Sequence, residues 1–224
     1  MAASDHLAET TPPLSELPLA ERAYRLLLQA MHSGELAAGQ QINRRAIAER
    51  FGMSVAPVLE AMVRLEHEGL LQTEARKSTV VRAFTIEEMR DQLQLREAVE
   101  CQAAWLYSRR GNLSANLSAM QTLARKIDQA DDQDLPALWQ ADIAFHRGLV
   151  ALAESQSLLK TFDRIMTLGL FAAISHAVWV HDKKDRHCHG VFLAELNGAE
   201  PEKSVMLVRR HLHGGKSPIL DHLS

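Results

Sequence analysis

The sequence is poor in the features that mark secreted, membrane-spanning or strongly basic proteins. Its two cysteines, Cys101 and Cys188, do not belong to Cys-x-x-Cys pairs, so a disulfide framework and the common zinc-ribbon and redox motifs are excluded. A reducing cytoplasm is therefore the expected location. The longest apolar stretch, over residues 168–180, is interrupted by glycine, serine and histidine and falls short of the roughly 20 residues that a membrane-spanning helix needs. We expect no membrane partner.

Positive charge is also scarce. The formal net charge is -3, and residues 14–84 carry nine Lys or Arg against eight Asp or Glu. Bulk attraction to a nucleic acid backbone is therefore excluded, and any contact with DNA must depend on a few local side chains. What the chain does have is apolar side chains, 46% of all residues, which is enough for two ordinary buried cores.

Three short helices are predicted in the N-terminal part of the chain. An apolar stripe over residues 19–31 predicts the first helix. Asn43 is a candidate N-terminal cap for the second helix, and Ser54 is a candidate cap for the third. Pro57 falls in the first turn of that third helix, where a missing backbone N–H does no harm.

A β-hairpin is predicted after these helices. Residues 70–73 and 79–82 have the composition of two paired strands around a polar turn. Three helices followed by a hairpin predict a winged helix-turn-helix domain over residues 14–84. Residues 1–13 contain a Pro-Pro pair and no apolar periodicity, so we expect a disordered lead-in there.

Strand-like alternation stops after residue 84, and long amphipathic segments follow. Thr85-x-x-Glu88 is a capping box that opens the first of these helices, and Gly111 ends it. The predicted helices cover residues 85–110, 114–130, 135–153, 157–180, 186–197 and 201–213. Six helices joined by short loops predict an antiparallel helical bundle over residues 85–224. The fold class is therefore mainly all-α.

Four side chains of metal-ligand type fall on the predicted buried faces of three bundle helices. Asp142 and His146 are four residues apart and so stack on one face of a helix. His189 and His211 lie in register with apolar neighbours on two later helices. One carboxylate and three imidazoles suit a divalent transition metal such as zinc, nickel or iron. Because the chain has eleven histidines, chance pairing of ordinary core or surface groups is an alternative interpretation.

Several motifs occur together in an order that is typical of one protein family. They are Gly34-x-Leu36-x-x-Gly39, then Ala46-Ile47-Ala48-Glu49-Arg50-Phe51-Gly52-Met53-Ser54, then Pro57-Val58-x-Glu60-Ala61-Met62-x-x-Leu65-x-x-Glu68-Gly69-Leu70. In the C-terminal half, Asp142-x-x-x-His146 is followed by His189 after 43 positions and by His211 after another 22. With these motifs the whole ordered chain resembles the GntR family of regulators, in its FCD branch.

The resemblance implies a transcription regulator that binds a double-stranded DNA operator as a homodimer and has no enzymatic activity. It implies that the Asp-His-His-His set holds a divalent transition metal, with zinc favoured over nickel, iron or manganese. It also implies that Arg96 faces a small carboxylate effector, an anion that suits a guanidinium fork. A surface pair between Arg96 and Glu100 is the alternative. Repression that the effector relieves is the commoner outcome in the family.

The start of the predicted recognition helix departs from the family pattern. Family members usually read Ser-Arg-Thr-Pro-x-Arg-Glu there, whereas Val55 and Leu59 stand here in place of the two arginines. The residues that remain at matching positions, and that we expect to contact DNA, are Arg44, Ser54, Arg76 and Lys77. We expect DNA binding to be weaker or differently specified, because two charge-assisted contacts are missing.

Two other functions stay open from the sequence. A metal-dependent enzyme of the helical-bundle type could use the same ligand set to activate water. The chain nevertheless has no His-Glu-x-x-His motif, Walker loop or dinucleotide fingerprint, and it has no obvious general base. A regulator-like protein with lost or altered DNA specificity would also fit the loss of the two arginines.

Overall fold

The computed structural model describes residues 13–73, 78–130, 134–175 and 188–221. These residues form two compact units, the first from residues 13–89 and 167–175 and the second from residues 90–166 and 188–221. Apart from Pro13, the predicted lead-in lies outside the described residues. In the described part of the chain, no helix is long and apolar enough to cross a membrane.

The first unit contains the three helices and the hairpin that the sequence predicts, together with a third strand. Its elements are α1 (Leu19–His32), β1 (Gln41–Ile42), α2 (Arg44–Arg50), α3 (Val55–His67), β2 (Leu71–Thr73) and β3 (Thr79–Val81). The strands form an antiparallel sheet in the order β1-β3-β2, with Leu71 opposite Val81 and Gln41 opposite Val80. Two residues are too few for an alternating pattern, so the sequence does not predict β1.

Local side-chain chemistry fixes where two of these helices begin. The side-chain oxygen of Asn43 accepts hydrogen bonds from the backbone N–H groups of Arg45 and Ala46, at 2.9 and 3.3 Å, which confirms the predicted cap of α2. Ser54 precedes α3 as predicted, but its hydroxyl makes no capping hydrogen bond. Pro57 is the third residue of α3 and has no N–H, so one of the two donors that a serine cap uses is missing.

The core of the first unit lies between α1, α3 and the sheet. Leu27, Val58, Leu65 and Val81 are fully buried there. Each comes from a face that the apolar periodicity assigns to the interior, so the pattern that predicts the elements also predicts this core. Burying this face of α3 leaves its opposite face exposed.

The remaining elements are helices. They are α4 (Ile86–Arg110), α5 (Asn112–Ala115), α6 (Leu117–Asp128), α7 (Leu135–Ala151), α8 (Gln156–Ser175), α9 (Cys188–Leu196) and α10 (Pro201–Asp221). The predicted capping box is confirmed, because the N–H of Thr85 donates to the carboxylate of Glu88 at 2.8 Å and the N–H of Glu88 donates to the Thr85 hydroxyl at 3.2 Å. Gly111 ends α4 in the left-handed conformation, with φ 68°.

The helices depart from the six predicted ones in two places. The predicted helix at 114–130 is divided into α5 and α6, because Asn116 leaves the helical conformation and its side-chain N–H donates to the carbonyl of Asn112. Seven helices are therefore described where six were predicted. α10 continues to Asp221 instead of ending at His213, because the two glycines that follow weaken a helix by about 1 kcal/mol each without breaking it. The predicted helical residues 176–180, 186 and 187 lie outside the described residues.

A close approach between α6 and α7 positions the helix that carries the candidate ligands. A Cβ on Gly148 of α7 would lie 2.9 Å from Cδ1 of Leu123 and 3.1 Å from Sδ of Met120, so the two helices meet where only a hydrogen fits easily. Phe145, on the same helix, is fully buried, and the centre of its ring lies 5.0 Å from that of His189 on α9. Packing on both sides therefore fixes the orientation of α7.

Candidate functional site

A buried polar cluster lies inside the second unit and is built from three helices. Asp142 and His146 stand one turn apart on α7 and are only 4% and 1% exposed. His189 is at the start of α9, and His211 lies on α10. Their helical neighbours Phe192 of α9, with Leu207 and Val208 of α10, are buried, as the apolar register predicts. The helix periodicity therefore turns all four polar side chains towards the same interior.

The three imidazoles of this cluster lie close to one another, and Asp142 lies beside two of them. The ligand nitrogens of His146, His189 and His211 all lie within 4.8 Å of one another. A carboxylate oxygen of Asp142 lies 3.1 Å from Nε2 of His189 and 3.6 Å from Nε2 of His146. Two ligands on one zinc ion, each bound at about 2.1 Å, lie about 3 to 3.5 Å apart. The three histidines thus form a group that could hold a metal ion, and Asp142 lies beside two of them.

The protonation of the imidazoles also suits a metal. Burial, with the neighbouring His146 and His189, lowers the pKa of His211 to about 2. Burial lowers the pKa of His146 as well and outweighs the opposing effect of Glu100. Neutral imidazoles keep a lone pair for coordination, and a histidine must be neutral to bind a metal. The site therefore offers nitrogen ligands without first having to release protons from these two residues.

Glu100 on α4 contacts the cluster through Nδ1 of His146. Its Oε2 lies 2.6 Å from Nδ1 of His146, and its Oε1 accepts a hydrogen bond from Nε of Arg96 at 2.5 Å. Burial opposes ionisation of Glu100, but His146 and Arg96 outweigh it and lower its pKa to about 2. Glu100 is therefore a carboxylate that holds the outer nitrogen of a candidate ligand, as a second layer around a metal does.

This role of Glu100 was not predicted from the sequence, where Glu100 is only the partner of Arg96 in a surface pair. The pair is present, but its predicted surface location is wrong, because Arg96 and Glu100 are 2% and 3% exposed. A signal was present, since Arg96, Glu100, Ala104 and Tyr107 share one face of α4 and are all buried. Extending the apolar stripe of α4 through its two charged members would have placed both in the interior.

One donor of Arg96 is left over in the buried site. Its Nη2 makes no hydrogen bond with any described residue and lies 3.8 Å from a carboxylate oxygen of Asp142, too far for a hydrogen bond. A buried guanidinium N–H without a hydrogen bond is unfavourable unless a ligand or water supplies an acceptor. Arg96 is thus positioned to donate to an anion beside the four candidate ligands.

The residues expected to contact DNA belong to the first unit. Arg44 is the first residue of α2 and Ser54 directly precedes α3, and both are exposed. Val55 and Leu59, which stand where the family has arginines, are exposed on α3. Arg76 and Lys77 of the predicted turn lie outside the described residues.

Comparison with known proteins defines the class to which the chain belongs. The description "Bacterial regulatory proteins, gntR family" matches residues 19–81, and the description "FCD domain" matches residues 91–214. The chain therefore belongs to the GntR family of bacterial regulatory proteins, in the FCD branch. Proteins of this family are DNA-binding transcription regulators and not enzymes.

Individual relatives are similar at a lower level. The HTH-type transcriptional repressor RspR of Escherichia coli K12 is 24% identical over 148 residues, which cover 66% of this chain and 65% of RspR. The chain thus matches slightly less than two thirds of that relative's length. A probable D-xylose utilization operon transcriptional repressor of Paenarthrobacter nicotinovorans is 24% identical over 91% of this chain and 89% of its own length.

The solved structure of E. coli McbR/YncC is similar in fold. It has a TM-score of 0.77 at 17% identity and covers 93% of this chain and 100% of that chain. At this identity the likeness concerns the fold alone. It agrees with a winged helix followed by a helical domain.

Proposed function

We propose that this protein is a transcription regulator whose helical unit binds a small carboxylate beside a divalent metal. The observation that carries the proposal is the position of Arg96, whose buried Nη2 has no hydrogen bond in the described structure and lies next to Asp142. A carboxylate effector would supply the acceptor that this donor needs. The metal, when bound, would add a positive centre for the same anion.

The site residues have separate tasks in this proposal. Asp142, His146, His189 and His211 hold the metal, which we expect to be zinc before nickel, iron or manganese because neutral imidazoles with one carboxylate suit zinc. Glu100 orients His146 through its Nδ1. Arg96 binds the effector and also ties Glu100 in place, so one side chain touches both the anion and the second layer of the metal site.

The DNA-reading part of the proposal concerns residues 14–84, with Arg44, Ser54, Arg76 and Lys77 as contacts. Residues 85–224 would bind metal and effector and form a homodimer in the cytoplasm, so that two winged helices meet paired half-sites of an operator. The dimer would have one arrangement that binds the operator and one that does not. The effector changes DNA affinity only to the extent that its own affinity differs between these two arrangements. Two relatives are named as repressors, which supports repression here.

A library of small carboxylic acids tests the proposal on the metal-loaded full chain. Some acids should raise the melting temperature, shift the complex with a selected DNA fragment, and be recovered unchanged. Arg96→Ala should abolish both effects, whereas Arg209→Ala, which removes an exposed arginine paired with Glu97, should preserve them. Stabilisation by sugars or amines alone would contradict the carboxylate, and turnover of an acid would indicate an enzyme.

A further inference from the structure

The outer face of α3 carries a row of exposed apolar side chains. Val55, Leu59 and Val63 are spaced four residues apart, so they stand on successive turns of one helical face. They are 37%, 42% and 45% exposed, respectively. The opposite face of the helix, with Val58 and Leu65, supplies the core. The row therefore leaves more than a third of each side chain accessible to a partner.

Two arginines and a carboxylate lie beside this row. Leu59 and Val63 line a cleft of about 690 Å³ whose other walls include Arg44 of α2, Thr79 of β3 and Glu66, whose carboxylate accepts hydrogen bonds from Thr73. Arg44 and its neighbour Arg45 are exposed and form no ion pair with any described residue. Four further arginines of the first unit, Arg25, Arg50, Arg64 and Arg82, are each paired with a carboxylate. The surface thus joins apolar groups to two exposed arginines.

The major groove of DNA offers an apolar group at thymine and anionic phosphates along both edges. Thymine is the only base whose major-groove edge carries a methyl group, and apolar side chains contact that methyl. Valine and leucine have no donors or acceptors, so they cannot form the paired hydrogen bonds by which arginine selects guanine. Phosphates on either side of the groove would meet Arg44 and Arg45.

We propose that Val55, Leu59 and Val63 recognise thymine methyl groups in the major groove of the operator. This inference rests on the proposed function, because it takes α3 to be the helix that reads DNA. Because the row offers no hydrogen-bonding groups, it would favour thymine at the positions that it contacts. The row determines specificity, and the two arginines of α2 supply attraction to the backbone.

The test begins with selection of duplexes from a random pool by the metal-loaded full chain. Selected sites should contain thymines at fixed positions. Replacing one contacted thymine by deoxyuridine removes only the methyl group and should weaken binding about fourfold, the effect of one buried methylene-sized group. In Leu59→Ala, replacing the thymine at one operator position by deoxyuridine should no longer weaken binding. Val191→Ala, which shortens an exposed apolar side chain on α9, should leave every deoxyuridine effect unchanged.

The outcomes separate this inference from the function on which it rests. Selected sites that bind equally well with thymine and deoxyuridine would overturn methyl recognition while leaving DNA reading intact. If selection enriches no sequence, the protein does not bind DNA sequence-specifically, and both the proposed function and this inference are overturned. Sedimentation that shows self-association lost in Leu59→Ala, with DNA affinity unchanged, would assign the row to a protein interface and also overturn the inference.

Discussion

Oε2 of Glu100 lies 2.6 Å from Nδ1 of His146, and both side chains are almost fully buried. A carboxylate accepts, so Nδ1 of the neutral imidazole donates, and the lone pair of His146 is left on Nε2. Nε2 is the atom that faces Asp142 at 3.6 Å. Glu100 therefore selects the tautomer in which His146 can bind a metal, and it acts through His146 without touching the metal position.

Glu100→Gln tests this positioning role. An amide of the same shape can still contact His146 but does not enforce Nδ1 as the donor, so we expect zinc affinity to fall about 10- to 100-fold. Competition with a chelating dye at neutral pH measures the change. Glu97→Gln is the matched control, because Glu97 is on the same helix and pairs with Arg209 and His213 outside the cluster. Parent-like affinity in Glu100→Gln would contradict the role.

The lowered pKa of His211 predicts how the metal-free protein responds to acid. The folded-state pKa is about 2 and the ordinary value is 6.5, so below pH 6.5 the unfolded chain binds a proton that the folded chain does not. Stability should therefore fall as pH decreases from 6.5, by at most about 1.4 kcal/mol per pH unit for this group. Urea unfolding of the metal-free protein between pH 7.5 and 5 measures it.

His211→Gln should make that pH dependence shallower, since the variant has one imidazole fewer to protonate on unfolding. His213→Gln is the control, because His213 is exposed and pairs with Glu97. An equal loss of stability with falling pH in the parent and in His211→Gln would show that His211 does not cause the acid sensitivity.

Gly148→Ala tests the close approach that positions α7. A new Cβ would meet Leu123 and Met120 at 2.9 and 3.1 Å, and such overpacking costs about 1–3 kcal/mol. Alanine has a higher helix propensity than glycine, which offsets about 1 kcal/mol of this cost, so the net loss of stability should be about 0–2 kcal/mol. Gly190→Ala, where nothing lies within 4 Å of the new Cβ, should instead stabilise the metal-free protein by up to about 1 kcal/mol. The opposite ranking in chemical unfolding would contradict the packing.

Arg44 and Lys77 are both expected to contact DNA phosphates. Arg44→Ala and Lys77→Ala should each reduce the slope of log affinity against log salt by about one unit, as the loss of one phosphate contact does. Because a phosphate contact carries no sequence information, each variant should lose about the same affinity for a selected site and for a scrambled duplex. Gel shifts at several salt concentrations measure both effects. A larger loss on the selected site in Arg44→Ala would instead place that side chain at a base edge.

The features of the fold that depend on local chemistry were predictable from the sequence. Asn43 caps α2, Thr85 and Glu88 form the capping box, and Gly111 ends α4, because each effect involves residues within a few positions of one another. The division of the helix at Asn116 was not predictable from periodicity, since the apolar stripe continues through it. A single side-chain bond to the backbone decided that break.

The candidate site depends on contacts between distant helices, and the sequence predicts these less completely. The spacing of Asp142 and His146 predicts a shared face, because both lie on one helix. Register with apolar neighbours predicts that His189 and His211 face the interior, but it does not say which helices pack together, and the family resemblance added the matching ligand spacings. Glu100 was missed because a charged residue four positions from an arginine is typical of an exposed helix face.

Metal content decides whether the buried Asp-His-His-His cluster is a metal site. Elemental analysis of the purified full chain should find about one divalent transition metal per chain, and His146→Ala and His189→Ala should lose most of it while His213→Ala retains it. Circular dichroism of each variant establishes that its helices are intact. Parent-like metal content and melting temperature in both ligand variants would contradict the assignment of Asp142, His146, His189 and His211 as the metal site.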